Sequence, residues 1–194
     1  MEEPWLQNYI RRSGRLFLDI GANEGQWTKS LATGYERVIA FEADPRACDK
    51  LMQNLPKNAH VICKGAWNAN GELHAFHRFL STRQGSFFRE ETDEQTGPRQ
   101  GDIQVETVTI DSLDLPDVDF IKIDTEGSEY NILQGAIQTI KCSRPRMLIE
   151  IHNRENGELV SQFLGQLGFP VVVIHHPNYT VNSDEWSKHF WISC

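Results

Sequence analysis

The sequence predicts an α/β fold: a mostly parallel, twisted sheet with helices on both faces, closed at the C-terminal end by an antiparallel hairpin. Two observations carry this. Apolar runs of strand length alternate with helix-length periodic segments along most of the chain. The last two apolar runs, FPVVVIHH and HFWISC, are joined by a polar loop, which suits a terminal hairpin. At 194 residues the chain reads as a single domain over 1–194, long enough to bury about 70% of the surface its unfolded form exposes.

The elements follow in order. Residues 1–14 form an N-terminal segment expected to be helical, and RLFLDI at 15–20 is a buried strand. Asn23 is placed to cap a helix over roughly 24–34, which Gly34 ends. RVIAFEA is the next strand, Pro45 opens a helix to about Asn54, and HVICKGA is a third strand. GELHAFHRFL alternates apolar and polar residues as an edge or antiparallel strand does, and IQVETVTIDSL is its expected partner. Between them, residues 81–102 carry three Gly, one Pro and many charges, with Phe87 and Phe88 as the large apolar groups. Such a stretch predicts a mobile loop or lid: either Gly85-Ser86-Phe87-Phe88 closes over the ligand, or the stretch is a disordered insertion in which the two Phe pack locally. VDFIKID is a further buried strand, and a helix over about 128–141 turns Ile132, Leu133, Ala136, Ile137 and Ile140 to one face. PRMLIEIH is another strand, and a helix over about 155–167 stops at Gly168.

Composition narrows the partners. Twenty-seven Asp and Glu against 19 Lys and Arg give a formal charge of −8, which repels a phosphate backbone and argues against nucleic acid. MEEPWLQNYIRRSG lacks the basic start and apolar run of a secretion signal, and no stretch approaches about 18 uncharged apolar residues. The expected location is cytoplasmic, with no membrane partner. Cys48, Cys63, Cys142 and Cys194 show no C-x-x-C pairing, so reduced thiols are expected rather than a zinc site or a disulfide framework.

The first strand runs into Asp19-Ile20-Gly21-Ala22-Asn23-Glu24-Gly25. In doubly wound sheets a ligand lies beyond the carboxyl ends of the strands, and Gly21 and Gly25 permit close approach to the backbone. Glu42 closes the next strand, where an acid accepts the hydroxyls of a ribose, so an adenosine-bearing ligand is expected. Asp19 and Glu24 would repel a pyrophosphate, and G-x-x-x-G departs from the dinucleotide pattern, which disfavours a nicotinamide cofactor. S-adenosylmethionine, with its sulfonium and ammonium groups, is attracted by the same acids.

The stretches FLDIGANEGQWTKSL, VIAFEADPRACDKLMQNL, TIDSL, DFIKIDTEGSEYNILQGA and RPRMLIEIH resemble the FkbM-type methyltransferases over roughly 16–152. The resemblance implies a Rossmann-like methyltransferase core that methylates hydroxyl groups of small molecules, sugars or lipid-linked glycans. It implies that Gly21, Asn23 and Gly25 line the methionine end of S-adenosylmethionine, that Asp19 sits near its amino group, and that Glu42 holds its ribose. It places Ala66, Trp67 and Asn68 of GAWNANGE at the adenine, with Asn68 where such enzymes often carry an acid.

Methyl transfer to oxygen is an in-line displacement that also removes a proton, so acidic groups on the ligand edge are the candidates for base and positioning roles. Asp124 ends the strand VDFIKID, Glu126 lies in the following turn and Glu129 on the first helical turn; Asp124 is equally suited to hold the cofactor's amino group. His152 at the end of PRMLIEIH is the histidine best placed as a base, and Glu150 points to the same strand face. Asp124, Glu150 and His152 are residue types that bind divalent metals, but their spacing matches no metal motif and no metal is assigned. His175-His176 and His74-x-x-His77 lack the remaining ligands of a zinc site. The acidic run DSLDLPDVD reads as a solvated loop with a possible contact by Asp111. The rival functions on this fold are transfer to nitrogen or carbon and a non-enzymatic adenosine-ligand sensor. The oligomeric state leaves no mark in the sequence.

Overall fold

A computed structural model of the chain describes residues 6–79, 85–88, 99–175 and 190–194. Most of the expected lid, 80–84 and 89–98, lies outside the described residues, as do 1–5 and 176–189. The main sheet has seven strands, β1 (Gly14–Ile20), β2 (Tyr35–Phe41), β3 (Ala59–Ile62), β7 (Val118–Ile123), β8 (Arg146–Ile151), β9 (Val172–His175) and β10 (Phe190–Ser193), in the order β3-β2-β1-β7-β8-β10-β9. Pairing is parallel from β3 through β8 and antiparallel at β8–β10 and β10–β9, so the terminal hairpin stands as expected. Chain order runs outward in one direction through β2 and β3 and in the other through β7 and β8. The reversal therefore falls at β1, and a crevice opens beside its carboxyl end.

β1 shows why its run is largely apolar. Phe17 packs on one face with Tyr35, Val38, Phe120, Leu148 and Trp191, while Leu16, Leu18 and Ile20 pack on the other with Ile132, Leu133, Ile140 and Val160. Both faces are covered, so alternation would bury polar side chains without partners. The exceptions, Asp19 and Lys122, both fully buried, belong to the site described below.

A second, three-stranded sheet, β4-β6-β5, is formed by β4 (Gly65–Ala66), β5 (Leu73–Phe79) and β6 (Arg99–Val108). β5 and β6 pair antiparallel, with Phe76 opposite Ile103, as their alternation predicts. HVICKGA is not one strand. It splits after Ile62, and Gly65–Ala66 leave the main sheet to pair with Thr107 and Val108.

Helix boundaries differ from expectation at three points. Asn23 does not cap the first helix: its backbone is left-handed (φ 50) and its N–H donates to Glu42 Oε2 at 2.7 Å. The helix α1 (Gln26–Leu31) begins after Gly25 and ends in a short turn at Ala32–Gly34. The helix over 128–141 is two, α3 (Glu129–Gln134) and α4 (Ile137–Ser143), broken at Gly135, where a Cβ would stand 2.0 Å from the Trp67 carbonyl oxygen. In the N-terminal segment the described part makes a single turn, Tyr9 N–H donating to the Leu6 carbonyl at 2.9 Å, before β1 begins. α2 (Pro45–Gln53) and α5 (Arg154–Gln166) fall where expected; Asp44 caps α2 by accepting from Arg46 N–H at 2.9 Å, and Asn153 caps α5 from Asn156 N–H at 2.8 Å.

The cysteines are also corrected. Cys48 on α2 and Cys63 just after β3 form a disulfide across a sequence separation of 15, while Cys142 and Cys194 are free. No C-x-x-C pattern announces the pair because the fold, not the local chain, brings α2 against β3. Among the described residues no helix is long and apolar enough to cross a membrane.

Candidate active site

A cavity open to solvent occupies the crevice beside β1. It is lined by Ile20 and Gly21 from the end of β1 and by Phe41, Glu42 and Ala43 from the end of β2. Gly65 and Ala66, the stretch Asp124, Thr125, Glu126 and Ser128, and Phe76 and Phe87 complete the lining. Apolar walls with few polar groups suit a small-molecule cofactor.

Gly21 sets the depth of the crevice. Its φ is 73 and a Cβ there would stand 1.8 Å from the Asp124 carbonyl oxygen, so only glycine lets the ends of β1 and β7 come this close. Gly21 and Ala22 N–H both donate to the Phe41 carbonyl at 3.0 Å, which folds the turn back over β2. The turn then delivers Asn23 N–H to Glu42. The second Glu42 oxygen accepts from Asp44 N–H at 2.8 Å. Burial pushes the Glu42 carboxyl up to about 7, against the two N–H donors that favour its anion.

Beneath the turn lies a buried charge array. Lys122 Nζ donates to the Gly21 carbonyl at 2.9 Å and stands 3.5 Å from Asp19 Oδ1 and 3.4 Å from Asp124 Oδ2. Asp19 Oδ2 also accepts from Thr28 Oγ1 at 2.6 Å. Burial opposes the Lys122 ammonium, but Asp124, Asp19 and Glu150 hold its pKa above the usual lysine value. Asp19 therefore sits behind the crevice, holding α1 and Lys122, and does not line the cavity as expected for a residue at the cofactor's amino group.

The opposite wall is built from TEGSE. Glu126 takes a left-handed backbone (φ 54), as does Gly127 (φ 107), turning the chain sharply between β7 and α3. Glu129, fully buried, closes this turn: its Oε1 accepts from Thr125 N–H at 3.2 Å and Gly127 N–H at 3.1 Å, and its Oε2 accepts from Asn156 Nδ2. The same Oε1 accepts from His152 Nδ1 at 2.9 Å. His152 Nε2 is thereby aimed at Glu126 Oε2, 3.5 Å away, and Asp124 Oδ1, 3.6 Å away.

Burial works against a charged His152, yet Glu129, Glu126 and Asp124 hold its pKa well above the ordinary value. Burial likewise opposes the Asp124 anion, but Lys122 and His152 keep that carboxyl below the usual range. Burial pushes Glu126 up to about 7, with His152 opposing and Asp124, Glu150 and Glu129 reinforcing the rise.

Of the residues expected at the site, Gly21, Asn23, Glu42, Ala66, Asp124 and Glu126 line the cavity. Gly25 lies outside it as the N-terminal cap of α1, with φ 83. Trp67 packs instead among Phe87, His74 and Phe88, with ring centroids 5.2, 5.2 and 5.9 Å away. Asn68 Nδ2 donates to Gln134 Oε1 at 3.1 Å, away from the cavity. Glu129 and His152 stand behind Glu126 and Asp124 rather than on the wall. Asp111 makes a contact of a different kind, capping α4 through Thr139 N–H at 2.8 Å and Gln138 N–H at 3.0 Å.

Lys64, Phe76, Thr125 and Ser128 were not anticipated. Phe76 was legible as the inward position of the alternating strand; Ser128 carried no signal beyond its neighbours in TEGSE. The described part of the expected lid is docked: Ser86 pairs with His77, donates through Oγ to the Glu126 carbonyl at 2.7 Å, and so presents Phe87 over Gly65.

The family described as Methyltransferase FkbM domain matches residues 19–171. A methyltransferase FkbM from Methylobacillus flagellatus KT has a TM-score of 0.64 and 19% identity, covering 100% of this chain and 48% of that one, so the chain spans about half its length. SMU.1697c from Streptococcus mutans, solved in complex with SAH, has a TM-score of 0.56 at 14% identity and covers 100% of this chain and 97% of its own. An rRNA methylase from Streptococcus thermophilus has a TM-score of 0.53 at 13% identity, covering 97% of this chain and 90% of that one. At these identities the likeness establishes the Rossmann-like methyltransferase fold. A search of curated proteins gives no match. With a family match that spans most of the chain and a crevice at the strand-order reversal, the chain belongs to the FkbM methyltransferases, a family whose cofactor is S-adenosylmethionine.

Proposed function

We propose that the chain transfers a methyl group to a hydroxyl of a small molecule, sugar or glycan, with Glu126 as the proton acceptor. The observation that carries this is the position of Glu126: the residue lines the cofactor cavity, partly buried, with its Oε2 3.5 Å from His152 Nε2. Glu129 is consumed by backbone donors and Asp124 by Lys122, so neither is as available to take a proton.

The residues present fit the family's cofactor. Gly21 leaves the backbone bare at the crevice floor, Glu42 offers carboxylate oxygens for a ribose, and Ser128 Oγ is buried on the cavity wall without a partner among the described residues. When bound, S-adenosylmethionine supplies an electrophilic methyl group on a sulfonium that departs as a neutral thioether. Glu42 would hold the ribose, Gly21, Asn23 and Asp124 would face the methionine end, and Ala66 would border the base. Glu126 would take the proton that the acceptor hydroxyl loses as it receives the methyl group. Phe76 and Phe87 exclude water from this side.

The test is product formation: incubation with S-adenosylmethionine and a panel of hydroxylated sugars and phenols is expected to release S-adenosylhomocysteine with at least one acceptor and to yield a methyl ether by mass spectrometry. A methylated amine or carbon as the product would overturn the oxygen assignment. Tight cofactor binding without turnover on any acceptor would instead favour a sensor.

A further inference from the structure

Behind the Glu126 wall, the ends of β7 and β8 bring two carboxylates and an imidazole together. One ligand atom from each of Asp124, Glu150 and His152 lies within 4.8 Å of the others. Ligand atoms around an octahedral ion at about 2.1 Å stand about 3.0 Å apart in cis and about 4.2 Å apart in trans, so small side-chain adjustments close this set on one ion.

Three further observations point to a cation here. The strand ends bring the Asp124 and Glu150 carboxylates to one place, where Lys122 Nζ stands 3.4 Å from Asp124 Oδ2 and Asp124 Oδ1 is left on the His152 side, 3.6 Å from Nε2. His152 is held as metal-bound histidines are: its Nδ1 is tied to the buried Glu129 carboxylate at 2.9 Å, which leaves Nε2 turned into the acid cluster. Glu129 is fixed in turn by Thr125, Gly127 and Asn156, so the orientation is built into the fold. Finally, Ser128 is 1% exposed, and its Oγ has no partner among the described residues on the cavity wall that Asp124 shares.

We infer that Asp124, Glu150 and His152 form a binding site for a divalent cation at the rim of the cofactor cavity. Two carboxylates with one imidazole favour an oxygen-preferring ion such as magnesium or manganese over zinc, which takes more nitrogen or sulfur. Three protein ligands leave positions open for water and for an acceptor hydroxyl, whose O–H bond the ion polarises next to Glu126. That last role rests on the O-methylation reading; the binding of the ion does not.

The experiment is titration of the full chain with manganese(II) chloride, followed by the loss of the free-ion electron paramagnetic resonance signal, with S-adenosylhomocysteine binding measured on the same sample. One ion per chain is expected to bind, with affinity reduced at least tenfold in Glu150→Gln and in His152→Gln while circular dichroism and S-adenosylhomocysteine binding persist. If one variant fails to fold, the other decides. No binding tighter than about 1 mM in the folded wild type would overturn the site. So would binding that both folded substitutions leave unchanged. Manganese bound without S-adenosylhomocysteine would keep the cation site and sink the methyltransferase chemistry, whereas the reverse would sink the cation site alone.

Discussion

Glu129 Oε1 receives His152 Nδ1 at 2.9 Å while the same oxygen takes the N–H groups of Thr125 and Gly127. One buried carboxylate thus shapes the turn that carries Glu126 and orients the histidine behind it. Glu129→Gln puts an amide against N–H donors and removes the charge that His152 faces. The variant is expected to lose about 2–4 kcal/mol of stability. Urea or thermal denaturation measures it, and a change below about 0.5 kcal/mol would refute the keystone role.

Glu126→Gln keeps shape and hydrogen-bonding length but cannot take a proton. Turnover on a working acceptor is expected to fall by about 10²–10⁴-fold, with S-adenosylhomocysteine affinity essentially unchanged by calorimetry. Equal turnover in the variant would move the proton to another acceptor.

Glu42 predicts a pH dependence. Its carboxyl rises from 4.5 to about 7 on folding, chiefly through burial. Below its unfolded value both states hold the proton and its contribution to stability is complete. As pH climbs to about 7 the unfolded chain ionises first, so stability declines, by up to on the order of 3 kcal/mol, and levels off above. Comparing melting curves of wild type and Glu42→Gln from acid to neutral pH isolates this loss, which the variant is expected to lack. S-adenosylhomocysteine affinity is expected to rise through the same upper range in the wild type as the carboxylate forms, and to stay flat in the variant.

Lys122 is the positive centre between Asp19 and Asp124. Lys122→Met strips the cation from fully buried Asp19 and partly buried Asp124 and is expected to cost about 3–5 kcal/mol. Adding Asp19→Asn is expected to restore part of that loss, and a double-mutant cycle in chemical denaturation reads the coupling. Strict additivity would mean that the two groups do not interact.

Gly21→Ala drives a methyl group into the Asp124 carbonyl at a left-handed backbone position. Loss of at least about 1–3 kcal/mol of stability is expected from the backbone conformation alone, together with loss of S-adenosylhomocysteine binding. Wild-type binding in this variant would show that the crevice floor moves without consequence.

Much of this was written in the chain. Largely apolar runs such as RLFLDI and VDFIKID foretold strands covered on both faces, and the alternation in GELHAFHRFL foretold the antiparallel partner of β6. The cavity-lining roles of Gly21, Asn23, Glu42, Asp124 and Glu126 were legible because a parallel sheet puts strand ends at the ligand. What sequence could not convey was depth. Asp19 and Glu129 occur in the same motifs as their cavity-facing neighbours, yet side-chain direction and the partners Lys122, Thr28 and Asn156 draw them inward. Trp67 and Asn68 stand outside the cavity lining for a related reason: the break of α3 from α4 at Gly135 brings that helix end against them, which periodicity does not report. The Cys48–Cys63 link depends on helix-to-strand contact and likewise leaves no local trace.

Gly65 and Ala66 quit the seven-stranded sheet to join the β5–β6 hairpin, so the pocket is walled by two separately hydrogen-bonded units. One unit supplies Gly21, Glu42 and Asp124; the other supplies Phe76 overhead. A substitution in the overhead hairpin can then reshape the roof of the pocket without breaking a hydrogen bond of the sheet that carries its floor.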